Sequence, residues 1–147
     1  MGRNRWNHAT WAGVRTGAAV ILIVDHLRGA RRGTREQFAS FERLTIGRHP
    51  GSDVCFDGRR DIDASTRHAE LVWDETTKSL RLCDLGSSNG TWIYGKKVAN
   101  RSLALGESIE VEFGRGGPAV RLWLGDASSS IPPIPKRARW WRRFLRW

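Results

Sequence analysis

The stretch His68-Ala69-Glu70-Leu71-Val72-Trp73-Asp74, followed by Glu75-Thr76-Thr77-Lys78 and then Ser79-Leu80-Arg81-Leu82-Cys83-Asp84-Leu85, decides the fold. Ala69, Leu71 and Trp73 fall on one face and Glu70 and Asp74 on the other, the two-residue period of a half-buried strand. Polar residues 75–78 turn the chain, and residues 80–85 pair back. Upstream, Leu44-Thr45-Ile46 stops abruptly at Gly47-Arg48. His49-Pro50-Gly51-Ser52 is turn chemistry, Val54-Cys55-Phe56 a short strand and residues 57–66 a long polar loop. Before these, residues 18–27 read as a β-branched apolar strand that turns through residues 29–33 into residues 34–39, an opening hairpin. Downstream, residues 91–94 and 96–98 form a short pair, Ile109, Val111 and Phe113 alternate with outward Glu110 and Glu112, and Val120, Leu122 and Leu124 close the series. Ten to eleven short strands with no sustained helical period predict an all-β fold, an antiparallel β-sandwich.

A chain of 147 residues fits one domain with tails. Its net charge of +10 is unevenly spread. Residues 1–43 carry 8 basic and 3 acidic side chains, residues 44–125 carry 11 of each, and residues 126–147 carry 6 and 1. The neutral middle must therefore hold any anion by local geometry, while long-range attraction to anionic polymers or lipids belongs to the ends. Residues 1–17 form an irregular basic arm, residues 18–125 the domain, and residues 126–135, with Ser128-Ser129-Ser130 and Ile131-Pro132-Pro133-Ile134-Pro135, a stiff linker. Residues 136–147 are a basic aromatic tail. As a helix it would set Trp140, Trp141, Phe144, Leu145 and Trp147 against Arg139, Arg142, Arg143 and Arg146.

Cys55 and Cys83 lack the paired spacing of a zinc site and are expected to be a reduced, buried pair. His8, His26, His49 and His68 share no ligand spacing, and no nucleophile with a base or paired carboxylate is evident, so neither metal, cofactor nor catalysis is expected. The apolar run 18–24 is too short to span a bilayer and ends at Asp25 without a cleavage site, and position 6 is Trp6, which disfavours myristoylation of Gly2. A cytoplasmic protein is expected.

Three polar clusters sit at strand ends: Gly47-Arg48, Ser65-Thr66-Arg67-His68 and Ser87-Ser88-Asn89-Gly90-Thr91. Arg48 offers a planar, permanently charged fork for a phosphate, Ser65 and Ser88 offer hydroxyls, and Asn89 an amide for a peptide backbone. Taken singly, Asn89-Gly90 is a hairpin turn, Gly47-Arg48 a strand end and His68 a hydrogen-bonded core histidine. Taken in order, with Leu105-Gly106-Glu107 before a late alternating strand, they make residues 18–125 resemble a forkhead-associated (FHA) domain. That resemblance implies recognition loops at one end of the sandwich that bind a phosphothreonine peptide without chemistry. It implies that Arg48 pairs with the phosphate, that the Ser65 hydroxyl and backbone amide hold a second phosphate oxygen, and that Asn89 bonds the peptide main chain. Ser88 and Thr66 stand near the phosphate, and Gly47, His68 and Gly90 are architectural. The implied partners are a phosphothreonine protein and a Ser/Thr kinase or its substrate, with the chain a signalling adaptor.

Two positions depart from the family pattern. Many members follow the site serine with a basic residue, where this chain has Thr66 and places Arg67 one position later. Members usually carry Asn-Gly where Tyr94-Gly95 stands, and tyrosine tolerates positive φ poorly, so a different turn is expected. The rival reading is a degenerate scaffold whose main contact, through the tail, is an anionic membrane surface or protein partner, with nucleic acid less favoured. A further reading has Thr10 or Thr16 of the arm phosphorylated and folded back into the chain's own site.

Overall fold

Alternating apolar positions divide the strands between two sheets that close on a single core. The computed structural model describes residues 19–135. The eleven strands are β1 Val20–Arg28, β2 Arg35–Ala39, β3 Arg43–Gly47, β4 Val54–Cys55, β5 Ala69–Asp74, β6 Ser79–Asp84, β7 Thr91–Ile93, β8 Lys96–Val98, β9 Asn100–Ala104, β10 Ser108–Phe113 and β11 Ala119–Asp126. No helix occurs among the described residues. One sheet has the order β2-β1-β11-β10-β7-β8 and the other β4-β3-β5-β6-β9. All pairings are antiparallel except β3 with β4. Leu22, Val24, Val111, Phe113, Leu122 and Leu124 of the six-stranded sheet meet Leu44, Ile46, Leu71, Leu80, Leu82 and Leu103 of the other. Each such side chain, fully buried, contributes about 1.5–3 kcal/mol before the cost of ordering the chain.

The sandwich and opening hairpin match the sequence reading. The expected pairing of residues 80–85 back onto residues 69–74 is β5 with β6, in register from Ala69 with Asp84 to Asp74 with Ser79. Three local expectations are corrected. Glu112 is buried rather than solvated, because it faces Arg28 Nη2 across the sheet at 2.6 Å. Cys55 and Cys83 are free as expected but half-buried. Tyr94 adopts φ +49° and Gly95 φ +81°, so the β7–β8 turn has the two positive φ values of a type I′ hairpin despite the tyrosine. Gly95→Ala is expected to cost about 1–2 kcal/mol, a purely conformational penalty since nothing lies within 4 Å of the added methyl. Thermal melts of the two proteins would check this.

Strand β1 also has a covered outer side. Ile21, Ile23 and Trp123 cluster there, and buried Asp25 accepts hydrogen bonds from Arg35 Nε at 2.6 Å and Arg121 Nη2 at 2.8 Å. Arg121 Nη2 also donates to the Pro133 carbonyl at 3.0 Å. The linker thus turns back along the sheet instead of leaving directly. Its first residue, Asp126, is still part of β11. The basic arm and the aromatic tail lie outside the described residues.

Candidate functional site

The strands deliver four loops to one end of the sandwich: β3–β4, β4–β5, β6–β7 and β10–β11. Gly47 permits the first two to touch. A β-carbon there would lie 2.1 Å from the Thr66 carbonyl oxygen, and this close approach lets Arg48 N donate to Ser65 O (3.1 Å) and His49 N to Thr66 O (3.0 Å).

Arg48 is held by its loop. Its Nε donates to Ala64 O at 2.6 Å and its Nη1 to Gly58 O at 2.9 Å, which fixes the fork while leaving N–H groups on the Nη1 and Nη2 side open. Ser65 adjoins that anchor, and its Oγ accepts the Ser88 amide at 3.0 Å, leaving the hydroxyl proton to donate outward. Its own amide, expected to face an anion, instead donates to His68 Nδ1 at 3.0 Å. His68, with no exposed surface, donates from Nε2 to Gly90 O at 3.0 Å. The two bonds define the neutral Nε2–H tautomer, and burial lowers the imidazole pKa against the smaller opposing effects of Gly90 O and Asp84. Asn89 is steadied twice, by Nδ2 donating to Asp63 O at 3.0 Å and by its carbonyl accepting Trp92 Nε1 at 2.8 Å. Arg48, Ser65, Ser88 and Asn89 therefore stand on one continuous hydrogen-bonded rim. Thr66 is exposed at its edge, while Gly47, His68 and Gly90, the last at φ +84°, lie beneath it as architectural residues.

Sequence reasoning missed the residues that shape the loops. Asp84 Oδ1 accepts the amides of Gly86 (2.7 Å) and Ser87 (2.8 Å), and its Oδ2 accepts the hydroxyls of Ser87 (2.6 Å) and buried Thr91 (2.7 Å). Burial pulls the Asp84 pKa upward, but these bonds together outweigh it and hold it below the usual carboxylate value. At 3.9 Å from His68 Nε2, Asp84 Oδ2 is beyond hydrogen-bond reach. In the β4–β5 loop, buried Asp61 accepts from Asp57 N at 2.9 Å and Ala30 N at 3.1 Å, tying the loop to the β1–β2 turn. Asp63 packs on Gly114 and Gly117, where added β-carbons would meet it within 3 Å. A strand-ending Asp followed three places later by Ser is an Asx-turn signature, a signal that could have singled out Asp84.

Among the described residues no cluster of His, Cys, Asp or Glu could hold a metal, and no helix is long and apolar enough to cross a membrane. A sequence profile for the FHA domain matches residues 44–128. The chain belongs to the FHA domain family. Over 100 residues it is 32% identical to the glycogen accumulation regulator GarA of Mycobacterium tuberculosis, covering 67% of this chain and 56% of that protein. Over 103 residues it is 32% identical to the oxoglutarate dehydrogenase inhibitor of Corynebacterium efficiens, covering 70% and 67%. The chain thus spans just over half the length of GarA. In fold it is similar to the crystal structure of Mycobacterium tuberculosis Rv1747 FHA-1, with a TM-score of 0.58 at 22% identity over 74% of this chain and 99% of the other. In this FHA domain the loop end carries the three clusters read from the sequence, now joined through hydrogen bonds.

Proposed function

We propose that this FHA domain is a non-catalytic reader of phosphothreonine peptides and acts as an adaptor in Ser/Thr kinase signalling in the cytoplasm. The observation that carries the reading is Arg48. A guanidinium anchored by two loop carbonyls, one of them that of Ala64 next to Ser65 in the chain, is a preorganised fork for a dianion. Ser88 and Thr66 flank that point, and Asn89, held by Asp63 and Trp92, is placed to bond a peptide main chain. Two similar proteins are named as a regulator and an inhibitor, which supports an output made by binding. The partner is then a phosphothreonine-containing protein, either a kinase or its substrate.

The test is fluorescence polarisation of the full chain against degenerate phosphothreonine and unphosphorylated libraries. Arg48→Ala is expected to lose about a hundredfold in affinity for the phosphorylated library, on the scale of charge-assisted hydrogen bonds. Equal binding to both libraries, unchanged by Arg48→Ala but lost on removing residues 136–147, would overturn the reading and move the function to the tail.

A further inference from the structure

Cations on the outer face of the six-stranded sheet fall into two groups. Three are spent on carboxylates: Arg35 and Arg121 on Asp25, and Arg28 on Glu112. Those beside Asn89 are not. Arg115, in the β10–β11 turn, lies with its guanidinium carbon 5.2 Å from the centroid of Trp92, and neither it nor Lys97 pairs with a carboxylate among the described residues. Trp92 and Lys97 are cross-strand partners in the β7–β8 hairpin. The neighbour across from Trp92 on β10 is Glu112, which is buried and taken up by Arg28.

This arrangement is built rather than loose. The Trp92 indole donates to the carbonyl of Asn89, which fixes the ring beside the residue assigned to the peptide main chain. Lys97 lays its methylenes against Gly90, where an added β-carbon would come within 2.8 Å of Cε. Gly114, whose φ is +87° and whose amide donates to Gly90 O at 2.8 Å, starts the turn that carries Arg115. Stacking on an indole limits the rotamers of an arginine and leaves its N–H edge free for an anion. A cation that pairs with no carboxylate among the described residues, held on a ring bonded to the asparagine assigned to the peptide main chain, leaves its counter-charge to be met beside the site.

We infer that Trp92, Arg115 and Lys97 form a second anion-binding shelf, so that the partner peptide carries another negatively charged side chain, a carboxylate or a second phosphate, on the side of its phosphothreonine that lies over Trp92. The inference rests on the phosphothreonine reading and adds to it a partner class: an acidic or multiply phosphorylated segment. Attraction of this kind raises selectivity and weakens with salt.

The test uses the full chain and a phosphothreonine peptide in four forms. One has neutral flanks, one has glutamate at the flanking positions on either side, one has a second phosphothreonine there and one has lysine. The protein is compared with the double variant Arg115→Gln with Lys97→Gln, which keeps much of the aliphatic length and removes both charges. Glutamate or a second phosphate is expected to tighten binding about three- to tenfold at low salt, and the double variant to erase that gain while binding the neutral peptide unchanged. The glutamate and second-phosphate peptides separate a carboxylate preference from a phosphate preference, and a gain from either supports the shelf. A gain that persists in the double variant, or no gain in the native chain while the neutral phosphopeptide binds, would overturn the shelf alone. Failure of every phosphopeptide to bind would overturn the phosphothreonine reading, and the shelf with it.

Discussion

His68→Ala is expected to remove about 4 kcal/mol of stability, in the range of large-to-small core substitutions with added unsatisfied polar groups. The imidazole stacks edge-on against Phe113, with ring centroids 5.2 Å apart, and is fully buried. Its removal leaves a cavity, orphans the Ser65 amide and leaves the Gly90 carbonyl with only its bond from the Gly114 amide. Because those groups belong to two of the site loops, the variant is also expected to bind phosphopeptide more weakly at temperatures where it remains folded. Protonation tells the same story more gently. Burial lowers the His68 pKa below the ordinary 6.5, so the unfolded chain takes up a proton first as pH falls. The stability this residue contributes is complete above pH 6.5 and declines as pH drops toward the folded value. A proton on Nδ1 would also break its bond from Ser65 N. Urea denaturation at pH 7.5 and 5.5 should show a loss in the native protein that His68→Ala lacks.

Asp84→Ala ranks next, at about 3 kcal/mol, because it strands the buried Thr91 hydroxyl and frees the Ser87 side chain and the Gly86 and Ser87 amides. Ser87 Oγ in turn accepts the Gly90 amide at 3.0 Å, so losing the carboxylate loosens the turn that presents Ser88 and Asn89. The folded-state pKa of Asp84 is depressed, and its contribution is therefore present above the ordinary value of 3.8 and lost as pH falls through the lower folded value. Asp84→Asn keeps the shape but presents an amide donor toward the Ser87 and Thr91 hydroxyls. It should cost less than alanine and lack the acid-dependent part of the loss. Denaturant midpoints at pH 7 and near pH 3 separate these effects.

The core strands were legible because Ala69 and Leu71, Ile109 and Val111, and Leu122 and Leu124 obey a two-residue period with little interruption. Strand β9 did not stand out as a separate element, since Leu103 is its one buried side chain and it forms the edge of its sheet. The burial of Glu112 on the outer face was hidden because its partner, Arg28, is distant in sequence. The Tyr94-Gly95 turn obeys hairpin twist over residue preference, with tertiary pairing of β7 and β8 overriding a local cost. At the site, Arg48, Ser65, Ser88 and Asn89 were readable from the order of motifs. Their supports were not: Asp61 and Asp63 look like ordinary loop aspartates until the topology brings them to Ala30 and Gly114, and the local Asx turn of Asp84 does not reveal its bond from buried Thr91.

The most direct measurement is an NMR titration of the full chain with one threonine peptide, phosphorylated and unphosphorylated, following the backbone amides and the arginine Nε–H groups. Phosphorylated peptide is predicted to shift Arg48 Nε–H and the amides of Ser65, Thr66, Ser88 and Asn89 in a saturable way, with little response to the unphosphorylated form. The same shifts with both peptides, or a response elsewhere on the domain with these five positions unmoved, would contradict the account.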